Sequence, residues 1–239
     1  MIFMVDAATQ ATGELETAIA LPPALGEKRV TLHGLTWDGY LKILDALPQS
    51  RAARLTYDQG TLEITMPLED HEFALRLIEL FIRILVVELG MKIKTMGSTT
   101  MNREDLRRGS EPDCAYYIQH QPQVAGRNVD FATDPPPDLV VEVDITHTDI
   151  NKNRFYASLG VPEFWRYNGR EWRIYQLQAG EYVELSHSPT FSWVEKDDLY
   201  RFLEQAQQDE VEAELTLRAW VREKWAGVVA QESGDRGQD

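Results

Sequence analysis

The sequence predicts an α/β fold, a mixed β-sheet with helices packed against it. Three observations carry that expectation. A long helical pattern from Glu72 to Leu89 is followed by several short strand signals. The run Leu139-Val140-Val141-Glu142-Val143 is nearly continuous in apolar residues, the composition of a strand covered on both faces. A helical pattern from Asn151 to Leu159 then separates that run from another strand, which is the order of a crossover unit. At 239 residues the chain is long enough to bury a substantial core as one domain. The body is expected over residues 28–203, between an acidic peripheral segment, 1–27, and an acidic helical extension with a polar tail, 204–239.

Taken in order, Thr36 is placed to cap a short helix to Leu47, with Trp37, Tyr40, Leu41 and Leu44 at helical spacing. Arg54–Tyr57 and Thr61–Met66 flank Asp58-Gln59-Gly60 as a hairpin, and Pro67 stops the second strand. On the long helix, Glu72, Arg76, Glu79 and Arg83 make one narrow polar stripe on an otherwise apolar cylinder, so the helix should be buried on most sides. Strands follow at Lys92–Thr95, Asp113–Ile118 and Asp138–Ile145, and Gly160 closes the helix after them. Glu163–Tyr167, Trp172–Leu177 and Tyr182–Leu185 read as a meander with turns at Asn168-Gly169 and Ala179-Gly180. Helices at Asp197–Gln207 and Glu210–Trp225 complete the chain.

Charge and cysteine usage narrow the function classes. The 39 acids against 24 Lys and Arg give −15, which opposes non-specific adhesion to nucleic acid, since that adhesion comes largely from basic residues displacing phosphate counterions. The charge is uneven: residues 1–27 contribute −4 and 204–239 contribute −5, leaving −6 on the body. Arg103, Arg107, Arg108 and Arg127 are available there as a phosphate-facing patch or as solvated loop residues. A single cysteine, Cys114, forms neither an internal disulfide nor a cysteine zinc cage, and is expected to be a buried apolar residue. No apolar run approaches 18 residues and no basic leader opens the chain, so a cytoplasmic protein without a membrane span is expected.

The informative departure from a bland core is Glu142. Alternation puts Asp138, Val140, Glu142 and Asp144 on one face of their strand, and an ionised carboxylate there is costly unless paired, hydrogen-bonded or bound to a cation. Asp113, after Pro112 at the start of another strand, is able to bring a second carboxylate alongside, and such an oxygen-rich pair suits Mg²⁺ or Mn²⁺. Lys152, ten residues on in the returning helix, is able to add a positive charge. The same residues are open to another reading: Asp113 as a turn residue, Glu142 paired with an arginine, Lys152 solvated. Glu72 and Glu79 read equally as members of helical ion pairs. His71-Glu72 lacks the second histidine of a zinc-protease helix, and no P-loop, dinucleotide fingerprint or nucleophile elbow occurs.

An ordered series of motifs resembles one family. Arg54–Met66 with His71-Glu72, Gly97–Thr100 leading to Arg103–Leu106, Glu111–Ile118, Asp134–Thr146, the Lys152 to Tyr156 spacing and Gly160–Tyr167 are similar to the Uma-two-type restriction-endonuclease-like proteins abundant in cyanobacteria. The resemblance covers about residues 30–203. It implies a PD-(D/E)XK nuclease fold and a Mg²⁺- or Mn²⁺-dependent endonuclease acting on nucleic acid, with DNA the expected substrate; the acidic charge predicts weak non-specific affinity for it. Asp113 matches the Pro-Asp aspartate and Glu142 the second acid. Together with the carbonyl of Val143 they would hold the metal. The superfamily places lysine two residues after that acid, where this chain has Asp144; Lys152 matches the family's helix lysine, and Asp144 would assist the metal or position Lys152. His71, Glu72 and Glu79 are possible additional site residues. Two alternatives stay open: a non-catalytic interaction or DNA-accessory module on the same fold, and a metal-dependent phosphoesterase for another substrate. A homodimer is a further expectation, with Trp165, Trp172 and the meander as a candidate surface, although aromatics at strand spacing are more often core.

Overall fold

Two β-sheets, rather than the one expected, organise the chain. The computed structural model describes residues 26–48 and 50–235, so most of the N-terminal acidic segment lies outside the described residues. The first sheet contains β1 (Glu27–Leu32), β2 (Arg54–Asp58), β3 (Thr61–Pro67), β5 (Met101–Arg103) and β6 (Arg108–Ser110), in the antiparallel order β1-β3-β2-β6-β5. The second contains β4 (Lys94–Thr95), β7 (Cys114–Tyr117), β8 (Leu139–Val143), β9 (Glu163–Tyr167), β10 (Trp172–Gln178) and β11 (Glu181–Leu185), in the order β11-β10-β9-β8-β7-β4. Only β8 and β9 are parallel; a short α3 (Gln121–Val124) follows β7, and the crossover from β8 to β9 carries α4 (Lys152–Ser158). The fold class is the mixed α/β architecture that the sequence predicts, with a helix and hairpin at the start and a meander followed by helices at the end.

The first sheet has one apolar face and one polar face. Thr36 caps α1 (Trp37–Ala46) by accepting from the Gly39 amide at 3.1 Å, and that helix covers Leu55, Tyr57 and Leu62. Tyr40 stacks on Tyr57 with ring centroids 4.9 Å apart. The opposite face carries Arg54, Thr56, Glu63 and Ser110, which strand alternation directs away from α1 and toward the second sheet. That polar face becomes one wall of the site described below.

The main core lies under the second sheet. Helix α2 (Glu69–Glu88) packs against β8, α5 (Lys196–Ala206) and α6 (Glu210–Asp235). Its Leu75, Ile78, Phe81, Ile82 and Leu85 meet Cys114, Leu139, Val141 and Val143. Each such side chain, fully buried, contributes on the order of 1.5–3 kcal/mol. The helix starts three residues earlier than its apolar pattern suggests, because Glu69, Asp70 and Glu72 place negative charge in the first turn, where the helix dipole favours it.

Three expectations are corrected by this packing. Trp165 and Trp172 are fully buried and in edge contact at 4.7 Å, so they belong to the core and offer no dimer surface. Ala213, Leu217 and Val221 of α6 are buried in the same cluster, and Arg218 and Arg222 of that helix both bind Glu88 of α2; the stretch from 204 to 222 therefore packs as part of the body. Glu27, expected at the edge of a peripheral lead, is 2% exposed and opens β1. Among the described residues no helix is long and apolar enough to cross a membrane.

Candidate functional site

Backbone register brings the two predicted carboxylates together. In the antiparallel β7–β8 pair Cys114 faces Val141, so one step beyond that ladder Asp113 stands opposite Glu142. The Val143 amide donates to Asp113 Oδ2 at 2.7 Å, which ties the two strand ends directly. Lys152, at the first position of α4, donates from Nζ to Glu142 Oε1 at 2.8 Å. Its helix is capped by Asn151, whose side chain accepts from the Arg154 amide, and this fixes the direction in which Lys152 leaves the backbone. Asp113, Glu142 and Lys152, distant in sequence, thus form one buried group between the two sheets.

Further residues complete the group. His71 on α2 reaches Asp113 Oδ2 with Nε2 at 3.1 Å, and Arg54, the first residue of β2, binds Asp113 Oδ1 with Nη1. Tyr156, one turn after Lys152 on α4, donates to Glu142 Oε1 and lies 3.1 Å from Ser110 Oγ. Of the additional residues foreseen, His71 is in direct contact and Glu72 sits one step out, 3.3 Å from Arg54 Nη2. Glu79 does not converge: it binds Arg76 and accepts from Cys114 Sγ at 3.1 Å, on the apolar side of the sheet. Burial pushes the Cys114 thiol up to about 12, in keeping with an unreactive core residue.

Asp144 belongs to a second network. It accepts from Arg29 at 3.1 Å and from Arg166 at 3.0 Å and makes no hydrogen bond to Lys152, contrary to the expected positioning role. Arg29 also binds Glu27 at 2.9 Å and Glu63 at 2.8 Å, so one guanidinium joins three carboxylates. Glu63 in turn accepts from the Asp149 and Ile150 amides, and Glu27 from the Thr146 amide, which holds the loop that launches α4. The expected arginine patch is dispersed: Arg103 pairs with Asp105, buried Arg108 with Asp58, and Arg127 with Asp134.

The electrostatics separate the two acids. Burial disfavours ionised Asp113, but the His71 hydrogen bond and charge, Arg54 and the Val143 amide outweigh it and hold the carboxyl down to about 2. Glu142 is pushed up to about 7 by burial first; Lys152 opposes that shift, while Asp113 and Asp144 add to it. Burial also works against charge on Lys152, yet the neighbouring Glu142 and Asp144 raise it overall and keep the ammonium cationic.

These shifts set a pH dependence. Unfolded glutamate ionises near 4.3. With Glu142 raised in the fold, the unfolded chain binds fewer protons over the interval above that value, and stability falls as pH rises through it. His71, where burial works against the charged imidazole but the hydrogen bond and charge of Asp113 outweigh it, is raised and contributes with the same sign, whereas Asp113 costs stability only as pH falls below its unfolded value. Urea denaturation in chelator at pH 5 and pH 7.5 is expected to show that decline in the wild type and less than half of it in Glu142→Gln. An equal decline in both proteins would contradict the assignment.

Among the described residues no three or more His, Cys, Asp or Glu side chains are arranged to hold a metal ion. The strand pair offers two hard carboxylates and the Val143 carbonyl, and Glu142 Oε2 accepts no hydrogen bond from the described residues. Mg²⁺ commonly accepts so sparse a set, completing its shell with water and substrate phosphate. The donor chemistry therefore fits Mg²⁺ or Mn²⁺, with the Arg54 guanidinium as the competitor at Asp113 Oδ1. Beside Arg54 opens a cleft of about 880 Å³, lined among others by Arg51, Glu72, Arg76, Thr99 and Glu111.

The molecule is thus a mixed α/β protein in which two strand-end carboxylates and a lysine from the crossover helix meet in one buried cluster. The chain belongs to the Uma2 family, whose model, described as "Putative restriction endonuclease", matches residues 37–221. A solved structure from Anabaena variabilis ATCC 29413, a "putative nuclease belonging to DUF820", has the same fold, with a TM-score of 0.50 at 19% identity over 71% of this chain and 99% of that one. No curated protein matches the sequence.

Arg54, Arg29, Glu63 and Tyr156 are the site residues that sequence reading did not single out. Tyr156 had a usable signal, because four residues after Lys152 it shares that residue's helical face. Arg54 and Thr56 alternate with Leu55 and Tyr57, which marks a polar face but not what it meets.

Proposed function

We propose that this protein is a metal-dependent endonuclease of the PD-(D/E)XK type, hydrolysing phosphodiester bonds of nucleic acid in the cytoplasm, with DNA the favoured substrate. The observation that carries the reading is Asp113 standing opposite Glu142 on adjacent strands with Lys152 Nζ 2.8 Å from Glu142. Membership of a restriction-endonuclease-like family supports the reaction class. Asp113, Glu142 and the Val143 carbonyl would hold Mg²⁺ or Mn²⁺. Such an ion, when bound, lowers the pKa of a water and polarises a phosphoryl oxygen.

The chain's own residues have separable tasks. His71 and the Val143 amide fix the orientation of Asp113 and keep it ionised. Lys152, held cationic, places positive charge beside Glu142, where it orients water and offsets charge developing on phosphate; it is an electrostatic group rather than a base. The charge that the superfamily takes from a strand lysine thus comes from α4, leaving Asp144 to the Arg29 network. A net charge of −15 accords with weak non-specific affinity for DNA and a strong requirement for the divalent ion.

One observation favours a second reading. Asp113 and Glu142 are only 6% and 4% exposed and their ion pairs are closed, as in a non-catalytic accessory module on the same fold. The two are separated by incubating wild type and Asp113→Asn with single-stranded DNA, duplex DNA, RNA and bis-p-nitrophenyl phosphate in Mg²⁺, Mn²⁺ or EDTA. Polynucleotide cleavage that is lost in EDTA and in the variant is the expected result. Cleavage of the small diester alone would make the protein a phosphoesterase, and no cleavage under any condition would leave the module.

A further inference from the structure

Arg54 is the side chain through which the cleft meets the carboxylates. It lines the cleft, and its Nη1 rests on Asp113 Oδ1 while Nη2 lies 3.3 Å from Glu72. The other two arginines of the cleft wall are engaged elsewhere: Arg51 with Glu111 at 2.5 Å and with the Pro48 carbonyl, Arg76 with both Glu72 and Glu79. Asp113 has no spare oxygen, because Oδ2 is taken by His71 and the Val143 amide. A cation approaching Asp113 at Oδ1 must displace a guanidinium that the fold has put there.

We propose that Arg54 is an exchange residue, which yields Asp113 to a divalent cation and turns into the cleft to bind a phosphate of the substrate. This rests on the reading of Asp113 and Glu142 as a cation site. The exchange follows from charge and reach. The guanidinium fork suits phosphate as well as carboxylate, so leaving Asp113 costs little once phosphate occupies the cleft. Glu72 stands beside Nη2 on the cleft side, so the side chain keeps one acidic partner as it turns. Cation and phosphate take opposite sides of one ion pair, so each favours binding of the other. Cation alone competes with Arg54, and phosphate alone leaves Asp113 and Glu142 facing each other without it. The cleft thereby selects for both together, a divalent ion with a phosphate-bearing ligand.

The test is Mn²⁺ binding, read from the electron paramagnetic resonance of the free ion, with and without thymidine 5′-monophosphate, a phosphomonoester that a phosphodiesterase does not cleave. Arg54→Gln is expected to bind Mn²⁺ about tenfold more tightly than wild type, and the nucleotide to tighten Mn²⁺ binding about fivefold in wild type but not in the variant. Circular dichroism checks the fold. Arg54→Lys, which keeps the charge without the fork, is expected to fall between the two and carries the test if the glutamine variant does not fold. Wild-type Mn²⁺ binding that is unchanged in Arg54→Gln, or equal tightening by nucleotide in both, overturns the exchange and leaves the cation site standing. Absence of Mn²⁺ binding in every variant overturns the cation site and the exchange together.

Discussion

Glu142→Gln is expected to lower Mg²⁺-dependent cleavage by at least about 10³-fold while the protein remains folded. The substitution keeps size and an acceptor oxygen for Lys152 and Tyr156, so the buried contacts at Oε1 survive in shape. What is lost is the negative charge that faces Asp113 across the strand pair and would give the proposed ion its second anionic ligand. Lys152 is then a buried cation without its anionic partner, which costs on the order of 3–5 kcal/mol, a large part of the stability of a domain of this size. Single-turnover cleavage beside a urea melt separates the two effects. Cleavage at the wild-type rate would remove Glu142 from the reaction.

Arg29→Met carries the largest expected effect on stability. Arg29 is the common partner of Glu27, Glu63 and Asp144, all at or below 5% exposure. Removing the guanidinium leaves three carboxylates around an apolar side chain, and breaking even one buried pair typically costs 3–5 kcal/mol. A loss of at least about 4 kcal/mol is therefore expected in urea denaturation, enough to unfold a marginal domain. The damage should begin at β1 and at the 146–150 loop, because both are held through these carboxylates. A loss below about 1 kcal/mol would mean that the network is not what joins β1 to β8.

The buried carboxylate pair was legible in sequence because a buried strand advertises a misplaced charge. Glu142 interrupts an apolar run, and alternation alone assigns it a face; Asp113 and Lys152 follow from their positions at the start of a strand and of a helix. That β1, β2, β3, β5 and β6 form a sheet of their own was not legible, and β1 explains why. Its alternation is inverted: Glu27 and Arg29 turn inward to the site, while Val30 and Leu32 are 48% and 40% exposed. A strand whose polar face is the buried one gives no ordinary strand signal. Strands β5 and β6 are three residues each, too short for a period, and exist through pairing with β2. The Arg29–Asp144 contact spans 115 residues and has no local trace. The arginines near the β5–β6 hairpin looked like a phosphate patch because their acidic partners, Asp58 and Asp105, are brought to them only by that pairing or by a tight turn.

The central claim is that Asp113 and Glu142 form a divalent-cation site at which phosphodiesters are hydrolysed. Anomalous diffraction from wild-type crystals soaked in Mn²⁺ tests it most directly. The account predicts a single strong peak between the two carboxylates, lost in Asp113→Asn crystals. A peak elsewhere, or none at that position at millimolar Mn²⁺, would contradict it.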